Sequence, residues 1–160
     1  MVIVLMGVTG SGKTTIGRLL AAKLGWRYFD ADDFHPSANI EKMSAGKPLH
    51  DADRLPWLET LRTLVRESLD RNENSVLACS ALKRSYRDYL LQDERVKLVY
   101  LKGDQQLIQS RLQQRQGHYM DPALLESQFD ILEEPGAETR IDITAGPDEI
   151  VRTIQERLQL

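Results

Sequence analysis

The segment GVTGSGKT at residues 7–14 constrains the fold of this chain more than any other feature, because it matches the pattern G-x-x-x-x-G-K-[ST] in full. The apolar run before it, residues 2–6, predicts a buried parallel strand, and residues 13–24 after it carry the apolar spacing of a helix. Strand, glycine-rich loop and helix in this order predict a phosphate-binding loop, since main-chain N–H groups and the helix N-terminus then face an anion. A glycine-rich turn that fits the pattern by chance is the alternative, and the flanking elements argue against it.

The residues of this loop have separable predicted roles. The ammonium of Lys13 reaches the β- and γ-phosphates and serves catalysis, the Thr14 hydroxyl ligates Mg²⁺, and Thr15 contacts the α-phosphate. The motif therefore indicates a purine nucleoside triphosphate and leaves the acceptor unidentified. The predicted nucleotide contacts are Gly7, Val8, Thr9, Gly10, Ser11, Gly12, Lys13, Thr14 and Thr15.

Strand and helix patterns alternate along the rest of the chain, which implies an α/β fold of three layers, a parallel sheet of about five strands flanked by helices. We expect one P-loop domain over 1–160, with a lid at about 115–127. The predicted strands are 2–6, 27–30, 75–79, 96–101 and 140–143. The predicted helices are 13–24, 39–45, 56–70 with Pro56 in its first turn, a helix capped by Asp104 that ends near 114, 122–132 and 147–158.

Composition excludes several classes of protein. Charged residues make up 28% of the 160 residues and the net charge is −3, so nothing indicates binding to nucleic acid or to a membrane. The one cysteine, Cys79, cannot form a disulfide within the chain. We therefore expect a soluble protein of a reducing compartment, the cytoplasm.

The stretch FDADDFHP, residues 29–36, lies at the carboxyl end of the second predicted strand, where ligands bind in open α/β sheets. If the strand continues, Asp30 and Asp32 share a face, and two carboxylates can divide the metal and the acceptor hydroxyl between them. All three aspartates can instead be turn formers, which is the interpretation we prefer for Asp33. His35 is compatible with a hydrogen bond to a substrate hydroxyl and equally with a bond to the main chain.

The third predicted strand ends in SVLACSALK and places Ser80 where many P-loop proteins carry a metal-binding aspartate. Asp30 is the obvious replacement. Basic residues would be needed by an anionic acceptor, and Arg54 and Lys83 are our candidates because an arginine fork binds carboxylates well. Arg84 is interpreted as a solvated surface residue.

A lid is indicated by the polar segment QQRQGHYMD, residues 113–121. Arg111 precedes this segment and Arg115 lies within it, and because the two are four residues apart they share a helix face. Arg115 is the candidate catalytic residue that stabilises charge on the transferring phosphate, whereas Arg111 is placed near the nucleotide. His118 and Tyr119 are equally compatible with lid contacts and with surface positions.

Together these pieces resemble the gluconate kinases. The resemblance is carried by LMGVTGSGKTT, DADDFHPSANIEKMSAGKPLHDADRLPWL, CSALKRSYRD, and YLKGDQQLIQSRLQQRQGHYM with the later QFDILEEP. It implies ATP-dependent phosphorylation of D-gluconate to 6-phospho-D-gluconate, feeding the pentose phosphate or Entner–Doudoroff routes. It also implies Mg²⁺, a homodimer, and a fold shared with the shikimate and nucleoside monophosphate kinases.

The resemblance further implies roles for particular residues. Asp30 would organise Mg²⁺ through water, and Asp32 would meet the acceptor hydroxyl. The resemblance places His35, Arg54 and Lys83 in the gluconate pocket. Our predicted substrate contacts in full are Asp32, His35, Arg54, Lys83, Arg87 and His118. The local text Asp-Ala-Asp-Asp departs from relatives with glycine between the aspartates, which leaves open which carboxylate is the base.

Two rival classes remain for comparison. A shikimate kinase is expected to carry a glycine triplet after the third strand, where this chain has CSALK. A GTP-dependent switch is expected to carry N-K-x-D, and the sequence has none.

Overall fold

A computed structural model describes residues 1–115 and 122–160 of the chain. The strands are β1 Val2–Met6, β2 Arg27–Asp30, β3 Ser75–Ala78, β4 Val96–Lys102 and β5 Arg140–Asp142. The α-helices are α1 Lys13–Leu24, α2 Ser37–Ser44, α3 Asp51–Asp70, α4 Arg84–Leu90, α5 Gln105–Gln114, α6 Pro122–Ile131 and α7 Pro147–Leu158. Two short 3₁₀ helices cover Ala31–Phe34 and Ala137–Thr139.

The strands form a single parallel sheet in the order β2-β3-β1-β4-β5. The central strand β1 is buried on both faces, as its unbroken apolar run predicts. Ile3 and Leu5 pack on one side of the sheet, and Val2, Val4 and Met6 pack on the other. The predicted fold class, an α/β sheet of five parallel strands between helices, is confirmed.

Each face of the sheet is covered by its own group of helices. The first core contains Leu20 of α1, Ile108 of α5, Leu125 of α6 and Ile154 of α7. The second core contains Leu61 of α3, together with further residues of α3 and α4. This division places both helix layers so that the carboxyl edge of the sheet stays open between them.

The predicted start of the long helix at Pro56 is wrong. Helix α3 begins at Asp51, and Pro56 lies inside it. The Asp53 carboxylate accepts a hydrogen bond from the His50 main-chain N–H at 2.8 Å, which satisfies one of the donors at this helix end. Because the helix starts before the proline, Asp51 and Arg54 belong to a rigid element and not to a loop.

Three further described elements were not predicted. Helix α4, Arg84–Leu90, follows β3, the 3₁₀ turn Ala31–Phe34 follows β2 directly, and the 3₁₀ helix Ala137–Thr139 precedes β5. Of the predicted lid, residues 122–127 form the first part of α6, and 116–121 lie outside the described residues. Within the described ranges, none of the helices combines the length and the apolar character needed to cross a bilayer.

Candidate active site

The carboxyl ends of three adjacent strands bring the predicted site residues together. Ala78 at the end of β3 pairs with Leu5 of β1 on one side and with Asp30 of β2 on the other. The phosphate loop follows β1 and the acidic turn follows β2, so the two stretches face each other across β3. They line one pocket, formed by Thr9, Gly10, Gly12, Lys13, Thr14, Thr15, Asp30, Asp32, Ala78, Ser80 and Arg115.

The phosphate loop depends on glycine at two positions. Gly10 and Gly12 have φ angles of +82° and +98°, a region that side chains rarely tolerate. A Cβ on Gly10 would also lie 2.9 Å from Leu112 of α5. Gly12 is the N-cap of α1, so the loop delivers its N–H groups at the helix N-terminus.

Lys13 folds back over the loop. Its Nζ donates to the Gly7 and Val8 carbonyl oxygens at 2.9 and 3.0 Å. Burial lowers the pKa of Lys13, and the carboxylates of Asp32 and Asp30 oppose that change. The ammonium is thus held in the pocket, among the groups that would bind a nucleoside triphosphate.

Helix α6 also contacts the loop. The carboxamide of Gln128 accepts a hydrogen bond from the Thr9 main-chain N–H at 2.7 Å and donates to the Thr9 hydroxyl at 3.0 Å. Gln128 of α6 thereby contacts a residue that lines the pocket, and Arg115 at the end of α5 lines the pocket itself. Sequence reasoning missed Gln128, because nothing local marks a glutamine as a partner of a residue 119 positions away.

The acidic stretch adopts a turn and not the continued strand that the alternation argument assumed. Asp30 is the N-cap of the 3₁₀ turn, and its Oδ1 accepts from the Asp32 main-chain N–H at 3.0 Å. The turn still directs both Asp30 and Asp32 to the pocket, whereas Asp33 is not among the lining residues. Asp30 is therefore a turn former as well as a pocket residue, and the preferred role of Asp33 as a turn former remains a prediction.

Asp32 faces Lys13 across the pocket and has a perturbed carboxyl. Although the residue is exposed overall, partial burial of the carboxyl and the charge of Asp30 raise its pKa, against the pull of Lys13 and His35. A carboxylate whose proton affinity is raised in this way is better suited to accept a proton.

The oxygen donors of the pocket fit a magnesium ion. The Thr14 hydroxyl and the Asp30 carboxylate both line it, beside Ser80, and such hard oxygen ligands suit Mg²⁺. No group of three or more histidine, cysteine or acidic residues that could hold a metal ion occurs among residues 1–115 and 122–160. A site with few protein ligands is typical for Mg²⁺, which keeps several waters and binds through substrate phosphates.

His35 is held in a fixed plane beside this pocket. Its ring stacks on Trp57 of α3 at a centroid distance of 4.4 Å and an angle of 12°. Trp57 is itself anchored, because its Nε1 donates to the Ala31 carbonyl oxygen at 2.7 Å. The charges that act on the ring are those of Asp32 and Arg54, and burial lowers the pKa of His35. His35 thus lies between the phosphate pocket and the predicted acid-binding residues.

Arg54 and Lys83 come together around an aspartate that sequence reasoning missed. The Asp51 carboxylate accepts from Lys83 Nζ at 3.1 Å and from the Tyr86 hydroxyl at 2.5 Å, with Arg54 Nη1 at 3.9 Å. Arg54 also donates to the Tyr86 hydroxyl at 3.1 Å. These donors hold the pKa of Asp51 below its usual range. The cluster shows that Arg54 and Lys83 can converge on one carboxylate.

Two predicted residues have other surroundings, and a third lies outside the described residues. Arg87 is buried and donates to the Ala81 and Leu82 carbonyl oxygens at 2.9 and 3.1 Å, so it supports the loop after β3 instead of facing the pocket. Arg111 donates to the Ile143 carbonyl oxygen at 2.6 Å and does not line the phosphate pocket. His118 lies outside the described residues, as does Tyr119.

A phosphate loop that faces two aspartates across the carboxyl edge of a parallel sheet defines a P-loop phosphotransferase. Comparisons with known proteins narrow this class. The family model described as shikimate kinase matches residues 9–158. The thermosensitive gluconokinase of Escherichia coli K12 is 49% identical over 88% of this chain and 78% of its own length.

Other relatives extend the match to almost the whole chain. A probable gluconokinase of Mus musculus is 43% identical over 99% of this chain and 97% of its own length. The crystal structure of a gluconokinase from Sinorhizobium meliloti 1021 has a TM-score of 0.86 and 40% identity, over 98% of this chain and 90% of that one. The chain belongs to the shikimate kinase-like family, and within it to the gluconokinases.

Proposed function

We propose that this chain transfers the γ-phosphoryl group of ATP to D-gluconate and forms 6-phospho-D-gluconate. The observation that carries the proposal is the shared pocket, in which Asp32 faces the phosphate-loop residues Lys13 and Thr14. An acceptor hydroxyl bound at Asp32 would lie next to the terminal phosphate of a nucleotide bound by the loop. Relatives that bear the name gluconokinase supply the identity of the acceptor.

On the donor side, the phosphate loop, residues 7–15, binds the phosphates, and Lys13 contacts the β- and γ-phosphates. Thr14 would hold Mg²⁺ directly and Asp30 through water. The ion would neutralise charge on the phosphates as it builds up during transfer. Arg115, which lines the same pocket, adds positive charge where the transition state spreads its negative charge.

On the acceptor side, Asp32 orients the hydroxyl and takes up its proton as the bond to phosphorus forms. His35 contacts a further hydroxyl of the sugar acid. Arg54 and Lys83 bind its carboxylate, which replaces Asp51 as the partner of these cations. Arg87 stabilises the loop that precedes Lys83. The roles of Arg111 near the nucleotide and of His118 in the lid rest on the sequence alone.

Three finer points also rest on the family resemblance and composition. We propose that the protein works with Mg²⁺, that it forms a homodimer, and that it resides in the cytoplasm. The buried thiol of Cys79 is compatible with a reducing compartment.

Release of ADP from ATP and Mg²⁺ tests the activity, with gluconate, other aldonates, shikimate and nucleoside monophosphates as separate acceptors. We expect turnover with gluconate well above that with shikimate or nucleotides. Asp32→Asn should keep nucleotide binding and lower kcat by about a hundredfold or more. Asp33→Asn, the neighbouring aspartate outside the pocket, is the matched control. A lack of gluconate-dependent ADP would refute the proposed activity.

A further inference from the structure

Asn39 of α2 is a buried polar residue to which the predicted chemistry assigns no role, with only 5% of its surface exposed. Its carboxamide nitrogen makes two hydrogen bonds. One is donated to the Asp53 main-chain carbonyl at 2.9 Å, and the other joins His35 Nδ1 at 3.3 Å. His35 is a predicted contact of the acceptor, and Asp53 directly precedes Arg54 on α3.

The bond to Asp53 determines which way the carboxamide points. A main-chain carbonyl only accepts hydrogen bonds, so the group of Asn39 that faces it must be the NH₂. An amide nitrogen donates both of its hydrogens and has no capacity to accept. His35 Nδ1 must therefore accept, which requires that it carries no proton.

The ring cannot avoid this constraint by turning. Stacking on Trp57 fixes the plane of the His35 ring. A half-turn about the Cβ–Cγ bond would return the ring to this plane but place a carbon opposite Asn39, and the buried amide would lose that hydrogen bond at a cost in stability. A neutral imidazole without a proton on Nδ1 carries it on Nε2.

We propose that Asn39 is a positioning residue that holds His35 as the neutral tautomer protonated at Nε2. His35 then presents an N–H donor to an oxygen of the acceptor, and it cannot serve as the base that removes the hydroxyl proton. Asp32 keeps that task. The catalytic part of this inference rests on the proposed function, while the tautomer itself does not.

Burial of the ring agrees with a neutral His35, because it lowers the pKa of the imidazole. The two neighbouring charges oppose each other, since Asp32 on the preceding turn favours a proton on His35 and Arg54 on α3 disfavours one. A proton on Nδ1 would in addition point toward the N–H of Asn39, and two hydrogen-bond donors would then repel each other. The donor to the substrate is therefore available over the neutral range without a charge on the ring.

The tautomer can be measured directly by ¹⁵N NMR of the histidine rings in the full chain without substrate. The chain has three histidines, and the signals of His35 are identified by their loss in His35→Gln. We expect a protonated Nε2 and an unprotonated Nδ1. A proton on Nδ1 in the wild-type protein would overturn the proposal.

Asn39→Asp tests the cause, because a carboxylate of the same shape can only accept. We expect the proton to move to Nδ1 and the pKa of His35 to rise by about one unit or more. In kinetic assays KM for gluconate should rise about tenfold with KM for ATP unchanged. An unchanged tautomer in Asn39→Asp would show that Asn39 does not set it.

Two controls distinguish selection of the His35 tautomer from a purely structural role of Asn39. Lys42 also links α2 to Asp53, because its Nζ donates to the Asp53 carboxylate at 2.7 Å. Since this bond does not involve His35, Lys42→Met should retain the tautomer of His35 and the KM for gluconate. In a His35→Gln background, Asn39→Ala should have little further effect on KM, since no tautomer is left to select. An equal cost in both backgrounds would assign Asn39 a tethering role and refute the proposal.

The experiments distinguish an error in the proposed function from an error in the role proposed for Asn39. A chain that releases no ADP with gluconate would refute the proposed activity and leave the NMR result to stand. A chain that is active on gluconate with a proton on Nδ1 of His35 would refute only the role of Asn39.

Discussion

Gln128 holds Thr9 by two hydrogen bonds, one to its main-chain N–H at 2.7 Å and one to its hydroxyl at 3.0 Å. The pair joins α6 to the phosphate loop across 119 positions of sequence. A loop that is held in its binding shape before the nucleotide arrives loses less entropy on binding.

Gln128→Ala should therefore weaken nucleotide binding. We expect KM for ATP to rise about three- to tenfold, corresponding to the loss of one or two hydrogen bonds, while KM for gluconate changes little. Ser127→Ala is the control, since the Ser127 hydroxyl bonds only the Leu124 carbonyl of its own helix. Equal effects of the two substitutions would argue against a role of Gln128 in the loop.

Lys13→Ala should abolish most turnover, because the ammonium is the cation that the pocket holds against Asp32 and the loop carbonyls. We expect kcat to fall by at least about a hundredfold and the dissociation constant of ATP to rise. Steady-state rates and calorimetric titration with a non-hydrolysable ATP analogue measure the two effects. Unchanged activity would overturn the assignment of the phosphate loop.

Arg54→Ala should affect the acid more than the nucleotide. Its guanidinium lies beside Tyr86 and Asp51 and is placed to bind a carboxylate, so we expect KM for gluconate to rise about ten- to a hundredfold. The exposed Arg66 of the same helix provides the control Arg66→Ala. A parallel rise in KM for ATP would contradict a carboxylate contact by Arg54.

Arg87→Leu should lower stability rather than substrate affinity. The buried guanidinium satisfies the carbonyl oxygens of Ala81 and Leu82, and leaving them unpaired costs about 1–3 kcal/mol. Urea denaturation measures this loss, with Arg84→Leu on the exposed face of α4 as the reference. A specific rise in KM for gluconate at unchanged stability would instead return Arg87 to the substrate contacts.

Cys79 should resist alkylation in the folded protein. Burial raises the pKa of its thiol to about 12, so roughly one molecule in ten thousand is thiolate at pH 8. Iodoacetamide labelling followed by mass spectrometry should be slow in buffer and rapid in denaturant. Rapid labelling of the native chain would show that the end of β3 is accessible.

Local pattern was enough to predict most of the fold. The glycine-rich loop between β1 and α1 predicts its own strand, turn and helix, since the pattern of apolar residues and the glycines act over short stretches of chain. The start of α3 was missed because His50 is not a usual N-cap residue. Pro56, five residues after the first helical residue Asp51, gave a stronger signal for a helix start.

The candidate site also has a part that local sequence predicts and a part that it does not. By itself the sequence determined the parallel α/β sheet, the phosphate loop and the position of the acidic stretch after β2, because each depends on consecutive residues. Only the tertiary structure decided which distant side chains meet, such as Asn39 with His35, Gln128 with Thr9, and Asp51 with Lys83. Hydrogen bonds between such residues depend on where the packed helices place their side chains. The spacing of residues within one segment does not predict how far apart two side chains from different segments lie.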